Sequence, residues 1–291
     1  IVGDSGMIRI YDAMSHQIVD SLDLSIPSGP TESRTYGPEC DYTKIPYDYT
    51  RTHMPTNRDT RPGTPSGTAE PTPPDYQLNI IGGFTDAFHF HPIIVRDSTA
   101  TIYLHNNMLD YNHSYYVTID EGVLTLPDHS FHGISKEHNW SFKTKDSAPA
   151  STDTLIVDAN GQGDFNTVQG ALDFIPDFSQ KQTVILIQAG DYEELVYARN
   201  KTNVKIKGAG MDRTRVHYAN NEVFNPHPLT VKTNEWPGTF PSRRAAFMLD
   251  NCSDILLEDL TIATDLHGQA EGLLLNGERI ALYSVHIIGS G

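Results

Sequence analysis

The sequence predicts an all-β protein: an N-terminal β-sandwich followed by a truncated right-handed parallel β-helix that opens with one short capping α-helix. Before residue 145, short runs of β-branched and aromatic residues alternate with turn clusters, a pattern typical of antiparallel sheets. After residue 154, strand patterns recur at intervals of 20 to 26 residues, which is the signature of a solenoid. Each architecture is considered below in chain order.

The composition excludes several classes of protein. The chain has 291 residues, of which 38% are hydrophobic, enough to form real cores. Acidic residues outnumber basic ones 37 to 21, and they do so both before residue 150 (19 to 10) and after it (18 to 11). Neither half therefore carries the basic field that a nucleic acid requires. No apolar run reaches the roughly 18 residues of a membrane-spanning helix.

The first domain is predicted at residues 1–145, and its N-terminus is expected to be incomplete. Six β-rich runs are expected to form strands, at 7–11, 17–22, 88–95, 99–104, 114–119 and 140–144. No helical period persists across this region, so the strand spacing favours a β-sandwich. Residues 51–75 contain six prolines and few apolar residues, which predicts an exposed excursion.

Two stretches of this domain resemble bacterial immunoglobulin-like modules. Residues 115–124 (YYVTIDEGVL) resemble the strand and turn of such modules, and residues 140–144 (WSFKT) resemble the closing strand. The resemblance implies a spacer or accessory domain without chemistry of its own.

Histidine and cysteine give little support for a metal site. Seven of the 13 histidines lie between His89 and His138, and His89 and His91 would share one face of a strand. No carboxylate or cysteine stands at a matching spacing, so no metal and no cofactor are predicted. Cys40 and Cys252 lie in different halves, which excludes a disulfide framework.

A small polar linker, 146–153, precedes the second domain at 154–291, in which a helix is expected after the first strand. Asn166 fits the N-cap, Gln169 the third helical position of a capping box, and Pro176 the end. The helix has an apolar stripe at i, i+3, i+4 and i+7, formed by Val168, Ala171, Leu172 and Ile175. Such a helix would cap an open β-core.

The repeats in the second domain define its coil. Residues 253–262 align with 278–287 at an offset of 25, residues 247–249 align with 273–275 at 26, and 184–190 align with 204–210 at 20. One such turn cannot bury its own apolar face, so successive turns must stack. A leucine-rich repeat is the main rival, but its L-x-x-L-x-L-x-x-N pattern is missing. The period therefore favours a parallel β-helix.

Four stretches of the second domain, in order, resemble the pectin methylesterases (pectinesterases). They are 157–169 for the family's xADGSGDFxTVQ, 187–194 for IxxGxYxE, 239–242 for TFxS and 269–273 for QAVAL. The resemblance implies hydrolysis of galacturonate methyl esters without a metal: one aspartate attacks the carbonyl, a second acts as general acid and base, and glutamines stabilise the oxyanion.

The resemblance assigns roles to three residues of this sequence. Gln269 takes the position of the first oxyanion glutamine, which suits an amide because its NH₂ donates without titrating. Thr239 takes a substrate-contact position, and Phe240 is a candidate for stacking on a sugar ring. Methyl-esterified pectin is the implied partner, and an extracellular or periplasmic location is expected.

The sequence also departs from the family pattern. Gly291 stands where the family has its second glutamine, and the first catalytic aspartate would fall at position 292. Residues 1–291 alone are therefore expected to be inactive. The acidic residues of the visible repeats, Asp250, Asp254, Asp259 and Asp265, match no motif and are interpreted as turn residues or solvated strand faces.

Two other functions remain open from the sequence. A non-catalytic carbohydrate-binding β-helix would share the period without needing the four motifs. A calcium-dependent pectate lyase would share the fold but needs an acidic metal cluster, which the sequence alone does not assemble. The methylation preference, the processivity and the oligomeric state are not encoded in any motif.

Overall fold

The computed structural model describes residues 1–26, 28, 78–79, 81–84, 88–128, 130–138, 140–221, 224–225, 243–267 and 269–290. These residues form two compact units. The first comprises the described residues of 1–28, 78–79 and 89–148, and the second comprises those of 81–88 and 149–290. Among the described residues, no helix is long and apolar enough to cross a membrane.

Antiparallel strands build the first unit, as the sequence predicts. The described strands that precede residue 145 are β1 (Met7–Asp12), β2 (Ile18–Asp23), β3 (Leu78–Asn79), β4 (Phe88–His89), β5 (Ile93–Arg96), β6 (Thr99–Ile102), β7 (Ser114–Ile119) and β8 (Ser141–Lys143). Four of them form a sheet in the order β2-β1-β7-β8, and β5 pairs with β6. Alternate residues such as Ile8, Ile10, Val117 and Ile119 point into its core. The immunoglobulin-like identity of this unit stays a prediction.

The histidine prediction in the first unit is wrong in its geometry. His89 lies in β4, but His91 lies beyond the end of that strand, so the two do not share a strand face. Burial lowers the pKa of His89 to about 3 and that of His91 to about 4. Both are therefore neutral at physiological pH.

Parallel strands build the second unit, as the repeats predict. They are β9 (Thr154–Val157), β10 (Thr183–Ile187), β11 (Gly190–Glu193), β12 (Val196–Arg199), β13 (Thr202–Lys207), β14 (Thr214–Tyr218), β15 (Ala245–Thr264) and β16 (Glu271–Ile288), with helix α1 (Val168–Phe174) after β9. The long strand β15 pairs in turn with β12, β13 and β14, so it turns through three faces of one coil. The result is a curled parallel sheet, a partial β-helix.

Stacked aliphatic side chains fill the interior of this sheet. One ladder runs through Leu155, Ile185, Ile206, Leu257 and Leu282, each paired in register with the next. The first four are fully buried because each coil covers its neighbour. The predicted offsets of 25 and 26 between β15 and β16 are confirmed.

One predicted offset is wrong by a single residue. Thr183 pairs with Val204, and Ile185 pairs with Ile206, so the offset between β10 and β13 is 21 instead of 20. A shift by one residue exchanges the two faces of a strand. The observed register places Ile185 and Ile206 together inside, whereas Val184 points away from the core.

Helix α1 occupies the predicted place but begins one residue later than expected. Thr167, instead of Asn166, is the N-cap, and its hydroxyl accepts from Gly170 N at 3.0 Å. Gln169 is therefore the second helical residue and does not close a capping box. Its Nε2 instead donates to Asp173 Oδ1 and to the Tyr197 carbonyl, both at 2.8 Å.

Corners between the faces of the coil adopt left-handed backbone. Positive φ angles recur at stacked positions, namely Asn200 and Asn251, then Asn203, Asp254 and Arg279, then Asp259 and Ser284. In both β15 and β16, the last two corners are five residues apart, Asp254 and Asp259 in β15 and Arg279 and Ser284 in β16. Short polar side chains tolerate this conformation best, which accounts for most of the corner residues.

Candidate active site

Gln269 lies two residues before the start of β16, and its side chain is exposed. The neighbouring Ala270 forms an antiparallel bridge with Ser290, in which each backbone N–H donates to the other's carbonyl at 2.7 Å. The chain that leaves β16 therefore returns to the point at which β16 begins.

An open groove lies at this junction. It has a volume of about 440 Å³ and is lined by Arg244, Gln269, Ala270, Glu271, Gly272 and Ser290, among others. Its floor is tightly packed, since a Cβ on Gly272 would lie 2.4 Å from the Ile288 carbonyl oxygen. A side chain at position 272 would therefore clash with the backbone of β16.

Arg244 joins the two polar residues of this groove. Its Nη1 donates to Gln269 Oε1 at 3.1 Å, and its Nε donates to Glu271 Oε1 at 2.7 Å. Nη2 lies 2.6 Å from the same Glu271 oxygen. The other carboxylate oxygen, Oε2, is buried without a hydrogen-bond partner. The arrangement offers an amide NH₂ and a cation paired with a carboxylate to a bound molecule.

The sequence-predicted site residues have two different outcomes. Gln269 lies on the groove, as described. Thr239 and Phe240 lie outside the described residues, and so does Gly291. Arg244 and Glu271 were missed, because only the pairing of Ala245 with Glu271 shows that residue 244 lies opposite 270, with Gln269 and Glu271 on either side.

The interpretation of the four aspartates as turn residues or solvated faces is wrong for Asp250. Its side chain is fully buried and its Oδ2 lies 2.8 Å from Arg199 Nη2. Asn276 donates to the other oxygen at 2.7 Å. Burial raises the pKa of Asp250, against the opposing effect of these partners. Asp254 and Asp259 do lie at surface corners, where they pair with Arg279 and Lys207 respectively.

Asp265 belongs to an ion-pair network that the sequence did not reveal. His217, whose side chain is only 4% exposed, places Nδ1 2.5 Å from Asp265 Oδ2 and Nε2 3.1 Å from Asp191 Oδ2. Burial opposes protonation of His217, but the Asp265 hydrogen bond and both carboxylates raise its pKa. Arg215 donates to Asp265 Oδ1 at 2.7 Å.

The same network brings potential metal ligands together. One ligand atom each from Glu193, His217 and Asp265 lies within 4.8 Å of the others. Because Glu193 pairs with His217 in the β11–β14 register, strand alignment assembles this set. With the Arg215 guanidinium beside both Asp191 and Asp265, the arrangement fits a network of ion pairs that joins β11 and β14 to the residue after β15.

A buried cluster of aromatic and cationic side chains fixes the strand start next to Arg244. The guanidinium of Arg243 lies 5.1 Å from the Phe84 ring centre and 4.7 Å from that of Phe88. Arg199 lies 4.3 Å from the Phe84 ring, and Phe88 packs on Tyr197. Cation–π contacts gain strength when they are desolvated, as they are here. The buried side chain of Arg243 thus fixes the position of the backbone that carries Arg244.

Residues 154–289 match the sequence profile of the family described as Pectinesterase. This segment is similar to the pectinesterases. It contains β9 to β16, the helix α1 and the whole lining of the groove except Ser290. The matched segment is thus the part of the chain in which strand stacking builds the candidate site.

Curated pectinesterases are similar to this chain over part of their length. "Probable pectinesterase 8" of Arabidopsis thaliana is 29% identical over 150 residues, which is 50% of this chain and 37% of that protein. "Putative pectinesterase 14" of the same plant is 31% identical over 170 residues, 56% of this chain and 46% of that protein. The chain spans less than half the length of these relatives.

Solved pectin methylesterases were also matched. A pectin methylesterase solved in complex with a hexasaccharide has 18% sequence identity and a TM-score of 0.34, and the match covers 47% of this chain and 43% of that one.

Proposed function

We propose that the protein containing this chain is a pectin methylesterase, which hydrolyses galacturonate methyl esters to carboxylate and methanol. The match of residues 154–289 to the pectinesterase family supports the reaction class. The bridge between Ala270 and Ser290 is the structural observation that carries the proposal, since it brings the backbone after β16 next to Gln269. The resemblance predicts the first catalytic aspartate at position 292, which would follow Ser290 of that bridge by two residues.

In the proposed reaction, Gln269 donates a hydrogen bond to the oxyanion. A carboxylate attacks the ester carbonyl, and the negative charge moves to the carbonyl oxygen. A second acid gives its proton to the departing methoxide, and water then releases the acyl group from the enzyme. A fixed amide donor stabilises the oxyanion most when it is already oriented, because no reorganisation is then required during the reaction.

The proposed substrate is methyl-esterified pectin, and the proposed location is extracellular or periplasmic. Both proposals depend on the family. The acidic balance of the chain agrees with a polymer whose carboxylates are masked as esters, because a fully de-esterified chain would be repelled.

The test uses the protein expressed from the complete open reading frame that encodes this chain. We expect it to release methanol from esterified pectin at the same rate with and without EDTA. Formation of an ultraviolet-absorbing unsaturated product that EDTA abolishes would identify a pectate lyase. Binding of pectin without either product would identify a non-catalytic β-helix, and both results would contradict the proposal.

A further inference from the structure

The orientation of an exposed glutamine amide is normally free. Gln269 precedes its strand and is exposed, so its side chain has many accessible rotamers. Its carboxamide has a donor end and an acceptor end of nearly the same shape. A catalytic donor at this position needs something that fixes which end faces the substrate.

Arg244 supplies that constraint through the chemistry of its side chain. A guanidinium has only donors, so the amide group that faces it must be the oxygen. The 3.1 Å contact between Arg244 Nη1 and Gln269 Oε1 meets this requirement. The NH₂ group, bonded to the same carbon, is consequently turned away from Arg244.

Arg244 is itself held in place from two sides. Glu271 Oε1 accepts from Nε at 2.7 Å and lies 2.6 Å from Nη2, a fork that fixes the guanidinium plane. The backbone is anchored at the preceding residue, because Arg243 is buried against Phe84 and Phe88. The Gln269 contact is therefore made by a group with little freedom of its own.

We propose that Arg244 is a positioning residue, which Glu271 clamps and which turns the Gln269 amide so that its NH₂ group faces the groove. This inference rests on the proposed function, in which that NH₂ group donates to the oxyanion. Arg244 acts through Gln269. The Glu271 carboxylate offsets the charge of Arg244, so the groove does not attract anions in general.

The decisive experiment is a double-mutant cycle in the complete protein, with methanol release as the readout. Arg244→Ala should lower kcat by roughly ten- to hundred-fold with little change in KM, because a donor is misplaced and not removed. In Gln269→Ala, the additional Arg244→Ala change should cost almost nothing, since its target is already gone. Arg244→Lys should restore part of the rate, because one ammonium can reach Gln269 but cannot form the Glu271 fork.

Arg279→Ala is the matched control. Arg279 pairs with Asp254 and Glu278 on the surface of β15 and β16 and does not line the groove. Its loss should leave kcat unchanged. Equal rates for Arg244→Ala and wild type would overturn the inference, and so would losses from Arg244→Ala and Gln269→Ala that simply multiply.

A second measurement separates this inference from the proposed function. In residues 1–291 labelled with ¹⁵N-glutamine, the Gln269 side-chain amide signal is assigned by its absence in Gln269→Ala. Arg244→Ala should shift that signal, whereas Arg279→Ala should not. An unshifted signal contradicts the inference whatever the enzyme does, while a shifted signal together with a lack of esterase activity in the complete protein contradicts only the proposed function.

Discussion

At the scale of single residues, the groove depends on an amide that is exposed but held. Gln269 has no buried packing to fix it, and its order comes from one hydrogen bond to Arg244. An oxyanion donor contributes in proportion to how well it is oriented before the reaction. The contribution of Gln269 to kcat can therefore be measured separately from its contribution to substrate binding.

Gln269→Ala in the complete protein should lower kcat by about 10²–10³-fold, or roughly 2.7–4 kcal/mol, as loss of one oxyanion donor does elsewhere. KM should change little, because the bond strengthens only as the carbonyl oxygen gains charge. Methanol release measured across pectin concentrations gives both constants. Gln180→Ala, a change at an exposed glutamine outside the groove, is the control. A wild-type kcat in Gln269→Ala would remove this residue from the site.

Asp250 makes a second prediction at this scale, concerning stability. Asp250→Asn would leave the Arg199 guanidinium, which is 1% exposed, without its counter-charge. Breaking a buried pair in this way typically costs about 3–5 kcal/mol. Hydrogen exchange of the β12 and β15 amides should report the loss. Asp254→Asn, which breaks the exposed pair with Arg279, should cost under about 1 kcal/mol.

Sequence reasoning found Gln269 but not its partners. Gln269 stands inside a motif and could be identified by resemblance. Arg244 lies 25 residues earlier and Glu271 two residues later, and their contact exists only because Ala245 pairs with Glu271. A contact of this kind follows from strand register, which composition does not fix.

At the scale of elements, the start of α1 contains an ionisable group in an unusual setting. Glu194 is buried, and its two oxygens accept from Val168 N at 2.7 Å and Gln169 N at 2.9 Å. The two carboxylate oxygens satisfy helix N–H groups that the helix itself leaves unpaired. Burial nevertheless raises the pKa of Glu194 to about 7, with the two donors acting in the opposite direction.

This raised pKa predicts a pH-dependent stability. A carboxyl group whose pKa is higher in the folded than in the unfolded state stabilises the fold fully below its unfolded pKa of about 4.5. That contribution is lost as the pH rises through about 7. The total is on the order of 3 kcal/mol. The difference in free energy of unfolding between wild type and Glu194→Gln, from urea titrations at pH 4 to 8, should decline over that range.

The exposed Glu278 provides the comparison for this measurement. Glu278→Gln should leave the pH dependence of wild type unchanged. A wild-type minus Glu194→Gln difference that is flat from pH 4 to 8 would show that Glu194 has an ordinary pKa in the fold.

Elements were predictable where the sequence repeats and less so where it does not. Ile255, Leu257 and Ile262 recur as apolar residues 25 positions later, so the pairing of β15 with β16 could be predicted. Val184 and Val204 also resemble each other, yet they do not pair, because either of two registers aligns β-branched residues. Only the packing of complete faces distinguishes registers that differ by one residue.

At the scale of the whole molecule, the groove residues lie within residues 1–291, whereas the catalytic aspartates that the family resemblance predicts have higher residue numbers. Residues 1–291 contain Gln269 and Arg244, but the resemblance predicts the nucleophile at position 292. We predict that a protein made of residues 1–291 releases no methanol from esterified pectin. Metal-independent methanol release by such a protein would contradict this, and Asp265 and Asp259 would then be the first carboxylates to replace.

The same protein should self-associate. In the described part of the chain, β16 pairs along one edge with β15, and it exposes apolar side chains: Leu282, Tyr283, Ile287 and Ile288 are 39%, 67%, 45% and 40% exposed. An unpaired apolar edge is a template for another strand. Sedimentation of residues 1–291 should show mass that rises with concentration. A monomer at all concentrations would contradict the expectation.

The stacked corners of the coil also bear on how such a chain can change in length. Five positions separate Asp254 from Asp259, and the same number separate Arg279 from Ser284. Removing one residue between two corners would exchange the inward-facing and outward-facing side chains along the rest of that face. The coils above and below would then lose their register partners as well. Losing or gaining a complete coil would preserve every corner and every ladder. Evolution in this part of the chain should therefore proceed by duplication or loss of whole coils, with single-residue insertions and deletions confined to the loops between strands.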